Sequence, residues 1–343
     1  MILSALDLSP VTGDATQAQA VRETIEIARA AERLGYHRLW LAEHHNIQGL
    51  GSPAPEVLIA ALTQATSTLR LGSGGVMLVN YSPLKVAEVF MELEALAPGR
   101  IDLGLGRALG ADARTGGALR SVGSDAFPQY FQLLTAWLLD AAGKAPIGDD
   151  HPLHDIHANP AGPSHPDVFV LCTSQESAAF AGQMGVGMVF AEFIARTDGG
   201  PAVAAYRRAF QPSAFRGEPW AGIALIAYAA ETAERAWRED ALRRAANVSM
   251  LTGRRRRFRD LAAAETFLAE HAGTAVLALV EGRTIAADGP GVHARLVEKA
   301  READADEVFV MATGPNLEAR IRSLELIAGS VTASGGGDRI RTA

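Results

Sequence analysis

Short apolar runs and longer apolar stripes alternate along this chain almost from end to end. Residues 2–9, "ILSALDLS", form a compact apolar run stopped by Pro10, which predicts a strand. Val21, Ile25, Ala28, Ala31 and Leu34 then recur at the three-and-four spacing of a helix face. Thr16 and Gln19 supply a capping box at its start, and Gly35 stands where a helix C-cap is expected. The unit repeats. Further strands are predicted at "HRLWLA", "LRLGSGGVML", "RIDLGLG", "DVFVLC", "GMVFAEF", "AGIALIAYAA" and "EVFVMAT". Helices are predicted at "APEVLIAALTQATS", from Ser82–Pro83 to "APGR", at "FPQYFQLLTAWLL", "QESAAFAGQMG" and "PAVAAYRRAF", over 292–303, and at "LEARIRSLELIAG". Residues 143–166, rich in Pro, Gly, His and Asp, read as a surface loop. An Arg-rich helical stretch to about residue 270 and the apolar run "TAVLALV" separate the seventh and eighth strands.

Strand–helix–strand connections are crossovers, so the strands run parallel. Eight such units predict an α/β fold, a (β/α)8 TIM barrel, with insertions after strand four and before strand eight. An open doubly wound sheet is the alternative. A single domain is expected over 1–330, and a disordered tail over 331–343, ending in "SGGGDRIRTA".

Composition narrows the function classes. The 343 residues carry a net charge of -7, so no basic field attracts nucleic acid or anionic lipid. A single cysteine, Cys172, excludes an internal disulfide framework and suits a reducing compartment. The N-terminus reads as a strand rather than a secretion signal, and no stretch of about 20 residues is free of charge. A soluble cytoplasmic protein without a membrane span is expected.

A barrel of this kind places its active site at the C-terminal strand ends. Polar residues gather there: Asp7 and Ser9, Glu43, His44 and His45, Ser73, Arg107, Thr173 and Ser174, Glu192, and Thr313. Adjacent strand residues face opposite ways, so at most one of His44 and His45 points squarely into the mouth. His44 reads as a general acid or base, or as a hydrogen bonder behind the site. No metal is expected: two adjacent histidines lack a third ligand, and His151, His154 and His157 lie in a solvated loop. Gly74 and Gly75 give bare backbone for a flat ligand or a simple turn.

"GLGRALG" is a poor dinucleotide fingerprint, but Arg107 is a cation able to take a phosphate. Thr173, Ser174 and Ser177 open a helix, as an anion site or as an ordinary cap. Arg107 and this junction lie on neighbouring strands and together suggest one phosphate-bearing ligand. "SPLK" lacks the companions of an acylase motif, and Ser82 reads as a cap. The run Arg254–Arg257 reads as a solvated loop, or as a lid or phosphate contact. Cys172 reads as strand packing rather than a nucleophile.

These blocks resemble the bacterial luciferase-like, flavin-dependent monooxygenases over nearly the whole chain. The resemblance rests on "LWLAEHHN", "LRLGSGGVMLVNYSPLKVAEVFMELEALAPGRIDLGLGR", "PDVFVLCTSQESAAFAGQMG" and "EVFVMATGPNLEARIRSLELIA". It implies a barrel that binds reduced FMN at the strand C-termini and lets it react with O2 to a C4a-peroxyflavin. By resemblance, His44 is the acid–base residue. Ser73, Gly74 and Gly75 lie against the isoalloxazine, in a stretch with a non-proline cis peptide. Arg107, Thr173, Ser174 and Ser177 hold the phosphate. The resemblance further implies an NAD(P)H:flavin reductase as partner, a homodimer formed through "APEVLIAALTQATS", and a small organic substrate such as a polyketide intermediate. Gly106 stands where the light-emitting members carry cysteine. The alternatives are an F420-dependent oxidoreductase of the same fold and a non-catalytic flavin-binding subunit.

Overall fold

The computed structural model describes residues 1–253 and 256–333. Its strands are β1 (Ile2–Asp7), β2 (Arg38–Leu41), β3 (Arg70–Met77), β4 (Ile101–Gly106), β5 (Asp167–Cys172), β6 (Gly187–Ala191), β7 (Ala221–Ala230), β8 (Ile285–Asp288) and β9 (Glu307–Ala312). All pair in parallel. The ring runs β1 to β7 in order, then β9, which returns to β1. The β6–β7 pairing closes it, so the open sheet is excluded. β8 is a ninth strand outside the ring, beside the upper part of β7.

Alternation within each strand divides two cores. Outward residues such as Leu39, Leu41, Leu103 and Leu105 pack under the helices. Inward residues Leu6, Trp40, Phe169, Val189, Ala224 and Phe309 fill the barrel. Trp40 sits at its centre, with ring centroids 4.4 Å from Phe309 and 5.0 Å from Phe169. Below this layer the barrel is charged. Arg38 reaches Asp102 at 2.8 Å and Glu307 at 2.9 Å, and Arg70 also pairs with Asp102. Trp40 Nε1 donates to Asp102 at 2.9 Å, and Trp220 Nε1 to Glu307 at 3.1 Å.

The first helix, Gln17–Arg33, carries the expected capping box at Thr16 and Gln19, and Gly35 follows it at φ +75°. The expected face packs inward: Ala28 and Ala31 are buried, and Val21, Ile25 and Leu34 lie partly buried on the core. The buried stripe is wider than expected and adds Ala20, Thr24, Ile27 and Ala30, with the Thr24 hydroxyl donating to Asp7 at 2.8 Å. Strand six ends at Ala191, since Glu192 starts a short helix. "TAVLALV" is helical from Ala275, and β8 was not expected. The helices of 241–281 gather around their own apolar cluster, including Val248, Phe267 and Leu277. The last helix runs from Leu317 to Ala333, and the rest of the expected tail lies outside the described residues.

Candidate active site

Past Leu41 the second strand bends into Glu43, His44 and His45, and the three side chains part. Glu43 is fully buried. Its carboxylate accepts from the Met77 N–H at 2.9 Å and the Tyr81 hydroxyl at 2.9 Å, and lies 2.8 Å from His45 Nε2. His44 faces a recess of about 270 Å³, shared with His45, Asn46, Ile47, Gly110, Ala111 and Asp112. Its Nδ1 is buried without a hydrogen-bond partner. Burial, and then the neighbouring His45, push the His44 pKa below its ordinary value. Burial and Glu43 raise Tyr81 above the usual phenol range.

The Gly-rich end of β3 is bare for a reason internal to the barrel. A Cβ on Gly75 would lie 2.5 Å from the Gly104 carbonyl oxygen, and one on Gly104 would lie 2.1 Å from that of Ser73. Ser73 itself is buried, and its hydroxyl donates to Gly104 O at 2.8 Å. The register with β4 shifts between Gly74 and Val76, and the Gly74–Gly75 peptide is cis. A Cβ on Gly106 would meet Met77 Sδ at 2.8 Å, the far end of a flexible side chain that can give way, whereas the nearest backbone atom, Val76 O, is 3.7 Å off.

Arg107 is exposed at the end of β4, 4.0 Å from Asp125. β4 and β5 pair through Leu105 and Val170, so Arg107 and Thr173 leave adjacent strand ends. Ser174 caps the helix Gln175–Gln183, and its hydroxyl and that of Ser177 complete a capping box. Cys172 is buried, and burial pushes its thiol up to about 12, which suits packing and not attack.

Other expected mouth residues serve the frame. Asp7 is tied to the buried Arg320 at 2.5 Å. Glu192 accepts from Gly199 N–H at 2.8 Å and lies 3.4 Å from Lys299, and Thr313 donates to Ala227 O at 3.3 Å. Arg254 and Arg255 lie outside the described residues. Arg256 and Arg257 are exposed, as the solvated-loop reading expects, and the Arg257 Nη2 donates to Gly13 O at 2.6 Å, fastening the insertion to the loop after β1.

Sequence reasoning missed the apolar rim of the mouth. Leu8, Leu171, Phe193 and Met311 stand partly buried on the barrel core. Three of them continue the inward alternation of Leu6, Phe169 and Phe309 by two residues, which is the signal that finds them. Apolar side chains at these strand ends suit a flat ring, and His44, Arg107 and Ser174 follow the ends of β2, β4 and β5. These residues fit a flavin mononucleotide. Among the described residues no group of three or more His, Cys, Asp or Glu side chains is placed to hold a metal ion, and no helix is long and apolar enough to cross a membrane.

The family model of the luciferase-like monooxygenases matches residues 1–307. A luciferase-like monooxygenase of Escherichia coli (strain K12) is 43% identical over 235 residues, 67% of each chain. The N-acetyl-S-alkylcysteine monooxygenase of Bacillus subtilis (strain 168) is 37% identical over 257 residues, 74% of this chain and 75% of its own. The crystal structure of apo-MsnO8 has a TM-score of 0.84 at 34% identity, covering 96% of this chain and 98% of that one. The oxygenating constituent of Pseudomonas putida 3,6-diketocamphane monooxygenase, in complex with FMN, shares the fold at 17% identity and TM-score 0.71, over 97% of this chain and 98% of that one. An F420-dependent secondary alcohol dehydrogenase shares it at 16% identity and TM-score 0.68, over 99% of each chain. This chain therefore belongs to the luciferase-like monooxygenase family and is a flavin-dependent monooxygenase.

Proposed function

We propose that this chain is the oxygenase component of a two-component system, using reduced FMN delivered by an NAD(P)H:flavin reductase. The observation that carries this reading is His44, an imidazole on the recess whose buried Nδ1 has no hydrogen-bond partner among the described residues. Reduced flavin, when bound, supplies the two electrons that divide O2 between product and water. The chain's own residues do the rest. Leu8, Leu171, Phe193 and Met311 give the ring an apolar seat and exclude water. Ser73, Gly74 and Gly75 form the backbone wall, Arg107, Thr173, Ser174 and Ser177 hold the phosphate, and His44 accepts or returns a proton at Nδ1. The substrate is a small organic molecule in keeping with a recess of about 270 Å³; natural-product intermediates such as polyketides and N-acetyl-S-alkylcysteines are the first classes to screen. The exposed face of the helix Pro55–Ala65, with Val57 66% exposed, is the contact of a homodimer.

Stopped-flow mixing of the protein with anaerobically reduced FMN and then oxygenated buffer tests the cofactor. The expected result is an oxidation rate clearly different from that of free flavin. Identical rates, together with hydride transfer to or from F420, would assign the chain to the deazaflavin reading. Arg107→Ala is expected to weaken FMN roughly 10- to 100-fold, as loss of one bond to a charged group does, and to leave riboflavin affinity unchanged. Titrations with both flavins check this; equal losses would remove Arg107 from the phosphate site.

The sign of the pH dependence follows from the burial of His44. Burial lowers its pKa from the ordinary 6.5, so the neutral imidazole predominates above that pH. A neutral base is the form that accepts a proton, so turnover is full there and falls as pH drops through the lowered pKa. The acid limb of a kcat profile is therefore expected below pH 6.5 and absent in His44→Asn. An acid limb retained in the variant would move the titration to another group.

A further inference from the structure

Glu43 has no exposed surface, and its ion-pair partner among the described residues is an imidazole, His45, rather than a lysine or arginine. A buried carboxylate in that position is sustained by the donors it collects. They come from three segments: Met77 N–H just past the register shift of β3, the Tyr81 hydroxyl in the following turn, and His45 on its own loop. One carboxylate thus ties the end of β2 to the end of β3. Glu43 does not itself line the recess, whereas His44 and His45 both do.

We propose that Glu43 is a positioning residue for the oxygenation: by accepting the Nε2–H of His45 it fixes that imidazole's tautomer, and through it sets the proton affinity of His44. This rests on His44 as the proton-handling residue. The other titratable groups facing the cluster are Glu56 from the helix Pro55–Ala65, Tyr81, and Asp112 on the recess. None of them is a cation, and after burial it is the adjacent His45 that opposes protonation of His44. Glu43 holds the His45 proton on Nε2, and His45 so oriented disfavours a proton on His44.

Glu43→Gln keeps the shape and removes the charge. If the amide oxygen serves Met77 N–H, the amide NH2 faces Tyr81 and His45, and His45 Nε2 becomes the acceptor. Long-range 1H–15N spectra of histidine-labelled, flavin-free protein read both effects, with His44→Asn and His45→Asn for assignment. The expected wild-type result is a His45 carrying its proton on Nε2. In Glu43→Gln the proton moves to Nδ1 and the His44 midpoint rises by about half a pH unit, roughly threefold in its acid constant. The acid limb of kcat moves the same way. A wild-type His45 protonated on Nδ1 overturns the proposal even when the variant fails to fold. So does a folded variant with the tautomer and the His44 midpoint unchanged. The spectra need neither flavin nor substrate, so a chain that shows the coupling but does not bind reduced FMN keeps the positioning role and loses the cofactor assignment.

Discussion

Arg38→Ala is expected to destabilise the barrel by about 3–5 kcal/mol, the range for removing one partner of a buried ion pair. The Arg38, Asp102 and Glu307 side chains are 4%, 0% and 0% exposed, so neither carboxylate can turn to water when the guanidinium goes. Burial works against the Asp102 charge, yet the Arg38 and Arg70 guanidiniums hold its carboxyl below the ordinary value of 3.8. That stabilisation is present above pH 3.8 and is lost as pH falls through the depressed native value. Arg70 still serves Asp102 in the variant, but Glu307 keeps only neutral donors, Trp220 Nε1 and the Ser4 hydroxyl. Urea unfolding at neutral pH measures the loss as a lower midpoint with an unchanged slope. Arg38→Lys keeps the charge but not the fork that spans both carboxylates, and should fall between. The combination Arg38→Met, Asp102→Asn, Glu307→Gln removes the three buried charges together, leaves the partly exposed Arg70 on the Gly99 carbonyl, and is expected to recover most of the loss. An Arg38→Ala midpoint within error of wild type would show that the charged layer does not hold the barrel.

The charged layer also shows what one sequence carries and what it does not. Strands buried on both faces are continuous apolar runs, and so "DVFVLC" and "AGIALIAYAA" coincide with β5 and β7. The first helix announced itself through its own cap, because capping is local chemistry. β8 did not: "IAAD" is four half-buried residues whose pattern no loop would distinguish. The polar strand ends were legible as letters but not as roles. Asp7 turns to Arg320, far along the chain, and Glu192 to Lys299, and neither pairing leaves a trace in local spacing. The glycines of β3 were visible, yet the reason for Gly75 is the Gly104 backbone of β4 and that for Gly74 is the Leu6 and Trp40 side chains inside the barrel, partners that only the folded sheet supplies. The histidine pair was legible as chemistry but not as two roles: both line the recess, and what separates them is the contact of His45 with Glu43, whose other donors come from Met77 and Tyr81 on a different segment.

His44→Asn is expected to lower kcat for an accepted substrate by about 10²–10⁴-fold, the contribution of a positioned acid–base group. Asparagine keeps a polar side chain of similar reach, so the change removes proton transfer more than shape. The imidazole lines the recess, and burial lowers its pKa, which favours the neutral form. Nδ1 has no protein partner to satisfy, so little folding energy is at stake, and the unfolding midpoint should stay near that of wild type. Flavin affinity should hold within about threefold, since the ring seat and the phosphate edge come from other strands; a loss confined to kcat is the signature of an interaction made in the transition state. His45→Asn provides the contrast. It breaks the contact with Glu43, and its cost should be smaller in kcat but visible in stability, because a buried carboxylate loses a donor. Parallel measurements of kcat, flavin dissociation and urea midpoint on the two variants separate the roles. Equal losses of kcat in both, or a His44→Asn enzyme within threefold of wild type, would take the proton-handling role away from His44.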